Sequence, residues 1–166
     1  ANVMIPAATG AVVRAAVTYS IANDTAILKY DTSGVITGFE VTDPNVFDGH
    51  LEIPASIKDV TITSIAENAF SNNAELLSVV IPDSVTAIGD GAFSACFSLT
   101  AVDLPAGLTV LNNETFRSCE KLNSISLPEN LTAIGQGAFM YCSALTEISI
   151  PDKCHRHWKC HISRLY

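Results

Sequence analysis

Phe70, Phe93, Phe116 and Phe139 stand 23 residues apart, and so do Leu76, Leu99, Leu122 and Leu145. The same step carries Ile62, Val85, Leu108 and Leu131, then Ile65, Ile88, Leu111 and Ile134, and Val79, Val102, Ile125 and Ile148. It also carries Ile81, Leu104, Leu127 and Ile150, each followed by a proline. The stretches SVTAIGDGAFSACFSLTAVDLP (84–105) and NLTAIGQGAFMYCSALTEISIP (130–151) are nearly one phrase, with a looser copy between them. Six apolar columns in constant phase leave the chain few ways to fold. One copy cannot seal its own apolar interior, so its stability comes from a copy above and a copy below.

Within a unit such as LTAVDLP (99–105), Leu99, Val102 and Leu104 point inward, and the last two keep the period of two of a half-buried strand. Pro105 ends the strand because it has no N–H for the ladder. The run VTAIG (85–89) returns with Val85 and Ile88 inward, and Phe93 drops into the middle. Successive coils are expected about 4.7–4.9 Å apart, the spacing of hydrogen-bonded strands. A period of this length with Leu and Ile at these offsets marks a leucine-rich solenoid. The expected class is a β-rich (α+β) solenoid, a right-handed coil of 23-residue repeats with about four coils.

Cys96, Cys119 and Cys142 keep the step, and the position one period earlier is Asn73. A short side chain there bonds neighbouring backbone or fills a small gap, which suits both residue types. Three equivalent thiols cannot all pair, so buried free thiols are expected rather than a redox or metal ladder.

The units PDSVTAIGDGAFSACFSLTAVDLP (82–105) and PENLTAIGQGAFMYCSALTEISIP (128–151) resemble the BspA-like leucine-rich repeats of bacterial surface proteins, which are also abundant in some parasitic protists. The family pattern is I-P-x-x-[VL]-T-x-I-G-x-x-A-F-x-x-C-x-x-L-T-x-I, and it covers about residues 54 to 151. The resemblance implies secretion or surface display, and adhesion to host, extracellular-matrix or neighbouring-cell molecules. The preceding segment resembles the N-terminal module of such proteins, in which a β-hairpin precedes an extended first unit. Its own residues agree. Val17, Tyr19 and Ile21 alternate with Thr18 and Ser20; Val35, Thr37, Phe39 and Val41 alternate likewise, and DTSG (31–34) signals a turn. Three regions result: a hairpin capping module over 1–53, the solenoid over 54–151, and an atypical tail over 152–166.

In that tail the repeat gives way to CHRHWKCHISRLY (154–166), with a formal +3 from Asp152 onward against −11 before it. As a metal site, Cys154, His157, Cys160 and His161 offer suitable ligands, but their spacing matches no established zinc module. As a closing cap, Trp158, Ile162 and Leu165 recur at helical spacing and cover the last coil, with a Cys154–Cys160 disulfide compatible with an oxidising compartment. The cap is the preferred reading. An abrupt change of composition is also what an alternative chain end produces.

A chain of 166 residues, 48% hydrophobic, buries one sizeable core. Its net charge of −8 disfavours nucleic acid and anionic membrane surfaces as main partners. The most apolar run, from Val3, is broken by Pro6, Gly10 and Arg14, so no membrane insertion is expected. The chain begins at Ala1, which reads as a processed or trimmed product. No P-loop, G-x-S-x-G, H-E-x-x-H or dinucleotide fingerprint occurs. The carboxylates Asp83, Asp90, Asp103, Glu114 and Glu129 form no recurring pair, and His50 has no catalytic partner in sequence. The expectation is therefore a non-enzymatic protein without cofactor. The sequons at Asn23, Asn113 and Asn130 matter only on a eukaryotic secretory route.

A partner would meet the strand residues that face away from the core: Ser78 and Val80, Ala101 and Asp103, Ser124 and Ser126, Glu147 and Ser149. They are small and mildly acidic and include no aromatic anchor. Such a surface suits avidity from many repeats or weak contact, and equally a spacer that holds another module away from a cell.

Overall fold

The computed structural model describes residues 17–21 and 24–157. Strands β1 (Val17–Ile21), β2 (Ala26–Tyr30) and β3 (Val35–Val41) form an antiparallel meander with Tyr19 opposite Leu28 and Leu28 opposite Phe39. The DTSG turn between β2 and β3 is tied by Asp31 Oδ1, which accepts from the Ser33 N–H and hydroxyl at 2.8 and 2.6 Å. β3 joins the meander to the repeats, because Val35 and Ile36 pair in parallel with Ser64 and Ile65 of β7 (Ser64–Ile65).

From β7 onward the strands are short and parallel. β7 pairs with β9 (Ala87–Ile88), and β8 (Ser78–Val80) with β10 (Ala101–Asp103). β11 (Val110–Leu111) pairs with β12 (Ala133–Ile134), and β12 with β13 (Arg156–His157). Each register advances by 23 residues, as in Ser64 to Ala87 and Ala133 to Arg156. β4 (His50–Glu52) pairs with β8 at an advance of 28, His50 to Ser78. The five extra residues of this first unit make a small hairpin, β5 (Ser56–Ile57) against β6 (Val60–Thr61), which turns at Lys58 with φ 54°.

The inward columns form one core. Phe70, Phe93 and Phe116 are buried, and their rings stack at 4.8 and 5.5 Å between centroids; Phe139 follows at 5.8 Å. The column continues on the other side into the meander, where the Phe39 ring lies 5.4 Å from Phe70. Burial of each such side chain contributes about 1.5–3 kcal/mol.

The α part of the (α+β) expectation is corrected: among the described residues every assigned element is a strand. The physical reason lies in the return segments, where N–H groups alternate between two destinations. Ala92 and Ser94 bond three residues back, to Gly89 and Gly91, at 3.3 and 2.9 Å. Gly91, Phe93 and Ala95 bond instead to Asn113, Thr115 and Arg117 of the next coil, at 2.9, 2.9 and 2.7 Å. A helix needs every N–H bonded four residues back. Two left-handed positions per coil interrupt it further: Asn68, Gly91, Glu114 and Gly137 have φ 56, 60, 54 and 66°, and Asn72, Ala95, Ser118 and Tyr141 have 60, 58, 60 and 64°.

The first residues after Ile150 stay in phase with the repeats. The Cys154 N–H bonds the Pro151 carbonyl at 2.9 Å, as the Leu131 N–H bonds that of Pro128, and the Cys154 side chain is buried. Trp158, Cys160, His161, Ile162 and Leu165 lie outside the described residues, and with them the helical cap, the Cys154–Cys160 disulfide and half of the metal set. Among the described residues no helix is long and apolar enough to cross a membrane.

Candidate functional site

Strands β10, β8 and β4 lie side by side in one sheet. Leu51, Val79 and Val102 point into the core, so the residues on either side of each are turned outward. This sets His50, Ser78 and Ala101 in one row and Glu52, Val80 and Asp103 in the next. Val80 is 41% exposed. His50 Nδ1 lies 2.7 Å from the Ser78 hydroxyl, and the His50 N–H donates to Asp48 Oδ1 at 3.0 Å.

Of the eight residues read as a partner surface, Ser78, Val80, Ala101 and Asp103 are brought together by this sheet. Ser124, Ser126, Glu147 and Ser149 are exposed, but residues 124–126 and 147–149 carry no strand assignment, so the continuous sheet expected there is corrected. The Asn123 N–H reaches the Thr100 carbonyl at 3.4 Å, whereas the Thr100 N–H reaches that of Leu77 at 2.8 Å. The ladder loosens at that point, and a cleft of about 580 Å³ runs between residues 125–129 and 149–153. A second cleft of about 380 Å³ lies at the other end of the face, between β1 and β4.

Sequence reasoning left His50 and Glu52 out of this face, and the signal for them existed. HLE (50–52) has the same outer-inner-outer pattern as SVV (78–80), displaced by the longer first unit. It also missed two exposed aromatics in the return segments, Phe97 at 45% and Tyr141 at 63% exposure, the latter with the Arg117 guanidinium 5.9 Å from its ring centre.

The thiol column is buried and unpaired by disulfides. Cys96, Cys119 and Cys142 each donate to the carbonyl of Phe70, Phe93 and Phe116, at 3.1, 3.2 and 3.0 Å. Desolvation pushes the Cys96 and Cys142 thiols up to about 12. The Cys119 thiol is raised by the same burial and by its two thiol neighbours. Groups held in the thiol form are neither nucleophiles nor metal ligands at neutral pH. Asn73, one period earlier, instead accepts the Leu76 N–H on its Oδ1 at 3.1 Å. Among the described residues no group of three or more His, Cys, Asp or Glu side chains is placed to hold a metal ion.

Parallel coils with stacked Leu, Phe and Cys columns define a leucine-rich-repeat protein. Residues 42–159 match the BspA type leucine rich repeat region in six copies, so the chain belongs to this family. Its structure is similar to that of the T. pallidum leucine-rich repeat protein TpLRR, at 25% identity and a TM-score of 0.68, over 86% of this chain and 61% of that one. A leucine-rich repeat protein from Bacteroides ovatus ATCC 8483 is 24% identical, with a TM-score of 0.66 over 90% of this chain and 37% of that one. One from Bacteroides capillosus ATCC 29799 is 29% identical, with a TM-score of 0.62 over 77% and 94%. The chain therefore spans less than two thirds of the first two structures. No curated protein matches the sequence.

Proposed function

We propose that the chain is a non-enzymatic interaction module of a secreted or surface-displayed protein, which contacts a host or extracellular-matrix protein through its exposed strand face. The observation that carries this reading is the pair of outward rows, His50, Ser78 and Ala101 beside Glu52, Val80 and Asp103, backed by a fully buried column. A rigid backing lets a surface bind without ordering itself first, which removes one cost of association. The extracellular setting follows from the family resemblance.

The finer architecture belongs to the same reading. Equal advances of 23 residues support a reading as one right-handed solenoid, with β1 to β3 as the cap on its first coil within the 1–53 module. The in-phase position of Cys154 favours a repeat region that runs past 151, with less of the 152–166 tail atypical.

The test is a biosensor measurement on a surface coated with extracellular-matrix extract, comparing the chain with Ser124→Arg/Ser126→Arg and Ser78→Arg/Ala101→Arg. Binding lost in both variants, with unchanged thermal unfolding, supports the adhesive face. No binding by the unaltered chain supports a spacer, a reading favoured by the absence of an aromatic anchor among these eight residues.

A further inference from the structure

Two edge strands of different sheets border the smaller cleft. Among the described strands β1 is hydrogen-bonded to β2 alone, and β4 to β8 alone. The cleft, about 380 Å³, is lined by Tyr19, Ser20 and Ile21 of β1, by Asp24, and by the three residues of β4.

The backbone of β4 divides between its two sides. The Gly49 carbonyl accepts from Leu77 and Ser78 at 2.7 and 3.1 Å, and the Ile53 N–H donates to Val80 at 3.0 Å. Residues 49 and 53 thus bond toward β8, and alternation along the strand turns the backbone groups of His50 and Glu52 the other way. Asp48 holds the His50 N–H at 3.0 Å. The His50 carbonyl and the Glu52 N–H and carbonyl line the outer edge, a template for a further strand.

The side chains around this edge are acidic and aromatic. Asp24 and Glu52 are exposed, and neither carboxylate is in an ion pair among the described residues. Tyr19 is 36% exposed. Asp103 and Glu147 continue the negative charge along the face, and the whole chain carries −8.

We propose that the β4 edge takes an extended segment of a partner protein carrying a lysine or arginine. The segment's backbone adds to β4 as a strand, and its cation enters the cleft between Asp24, Glu52 and the Tyr19 ring. Main-chain bonds supply affinity in this mode and side-chain pockets supply selectivity. A cation gains here from two carboxylates and from the face of an aromatic ring. An acidic segment meets like charge. The inference rests on the reading of the strand face as a contact surface and names the chemistry of its partner.

The experiment titrates the isotope-labelled full chain with two acetylated, amidated pentapeptides, Thr-Val-Lys-Val-Thr and Thr-Val-Glu-Val-Thr. The lysine peptide is expected to shift the Glu52 amide resonance to saturation and to lose affinity with added salt; the glutamate peptide is expected to leave it in place. Asp24→Lys/Glu52→Lys, two exposed changes that spare the core, weakens the lysine peptide about tenfold or more. A Glu52 amide that does not shift, equal affinity for both peptides, or an affinity unmoved by the charge reversal overturns the proposal. So does a Glu52 amide already protected from hydrogen exchange in the free protein, since another part of the chain then holds the edge. If the arginine variants of the strand face lose matrix binding while Asp24→Lys/Glu52→Lys keeps it, this inference fails and the broader reading stands.

Discussion

The Phe93 ring lies on the Phe116 ring with 5.5 Å between centroids and 14° between planes, one coil apart in the chain and both without solvent exposure. Phe116 has a ring on each side, Phe139 being 5.8 Å away. Phe116→Ala leaves a cavity in a column that neighbouring coils cannot close, and costs roughly 3–5 kcal/mol. Urea unfolding of the two proteins measures it. A loss below about 1 kcal/mol would show that the column is not the core.

Gly135 sits where the coil presses on its predecessor. A Cβ there would stand 2.5 Å from the Asn113 nitrogen and 2.6 Å from the Asn112 carbonyl carbon, both backbone atoms that cannot swing aside. Gly135→Ala is expected to cost about 1–3 kcal/mol through overpacking. Gly107→Ala is the control, since nothing lies within 4 Å of its Cβ. Equal thermal midpoints for the two variants would contradict the close approach.

Ala95 occupies a left-handed position, φ 58°, whose counterpart one coil earlier is Asn72 at 60°. Asparagine tolerates this conformation and a β-branched residue does not. Ala95→Asn therefore raises stability by roughly 0.5–1 kcal/mol, and Ala95→Val lowers it by more. A valine variant as stable as the parent, by calorimetry, sinks the assignment.

The buried thiols give a signed pH dependence. Their folded pKa values stand above the ordinary 9.0, at about 12 for Cys96 and Cys142. The folded state then keeps protons that the unfolded state releases, so the stabilisation is complete below pH 9 and is lost as pH rises from there toward 12. The slope is on the order of 1.4 kcal/mol per pH unit per thiol. Urea midpoints at about pH 8 and 10 should fall less in Cys96→Ala/Cys142→Ala than in the parent. A thiol reagent should label none of the three thiols in the column rapidly in the native state.

The columns of the core were legible because burial selects residue type, and a fixed period makes the selection visible. Phe39 was not legible as part of the stack, because it arrives from an antiparallel strand outside the period. The left-handed positions were hidden for a related reason: Ala95, Glu114 and Tyr141 are not residues that announce a positive φ, and the alternating bonds between coils hold them there. Cys154 looked like the start of a foreign tail, yet it stands one period after Leu131 and is buried like it. The strand face was legible only where the ladder stays closed, because alternation reports which side a residue takes and says nothing about the gap opening beside Ser126 and Ser149.

The N–H groups of Gly91, Phe93 and Ala95 reach across to the next coil, and those of Glu114, Phe116 and Ser118 repeat the gesture one storey on. Such a tower tolerates editing only in whole storeys. Duplicating or losing one full period preserves every vertical alignment, whereas inserting a single residue shears all floors beyond it, so lineages carrying this architecture should differ in height far more readily than in floor plan.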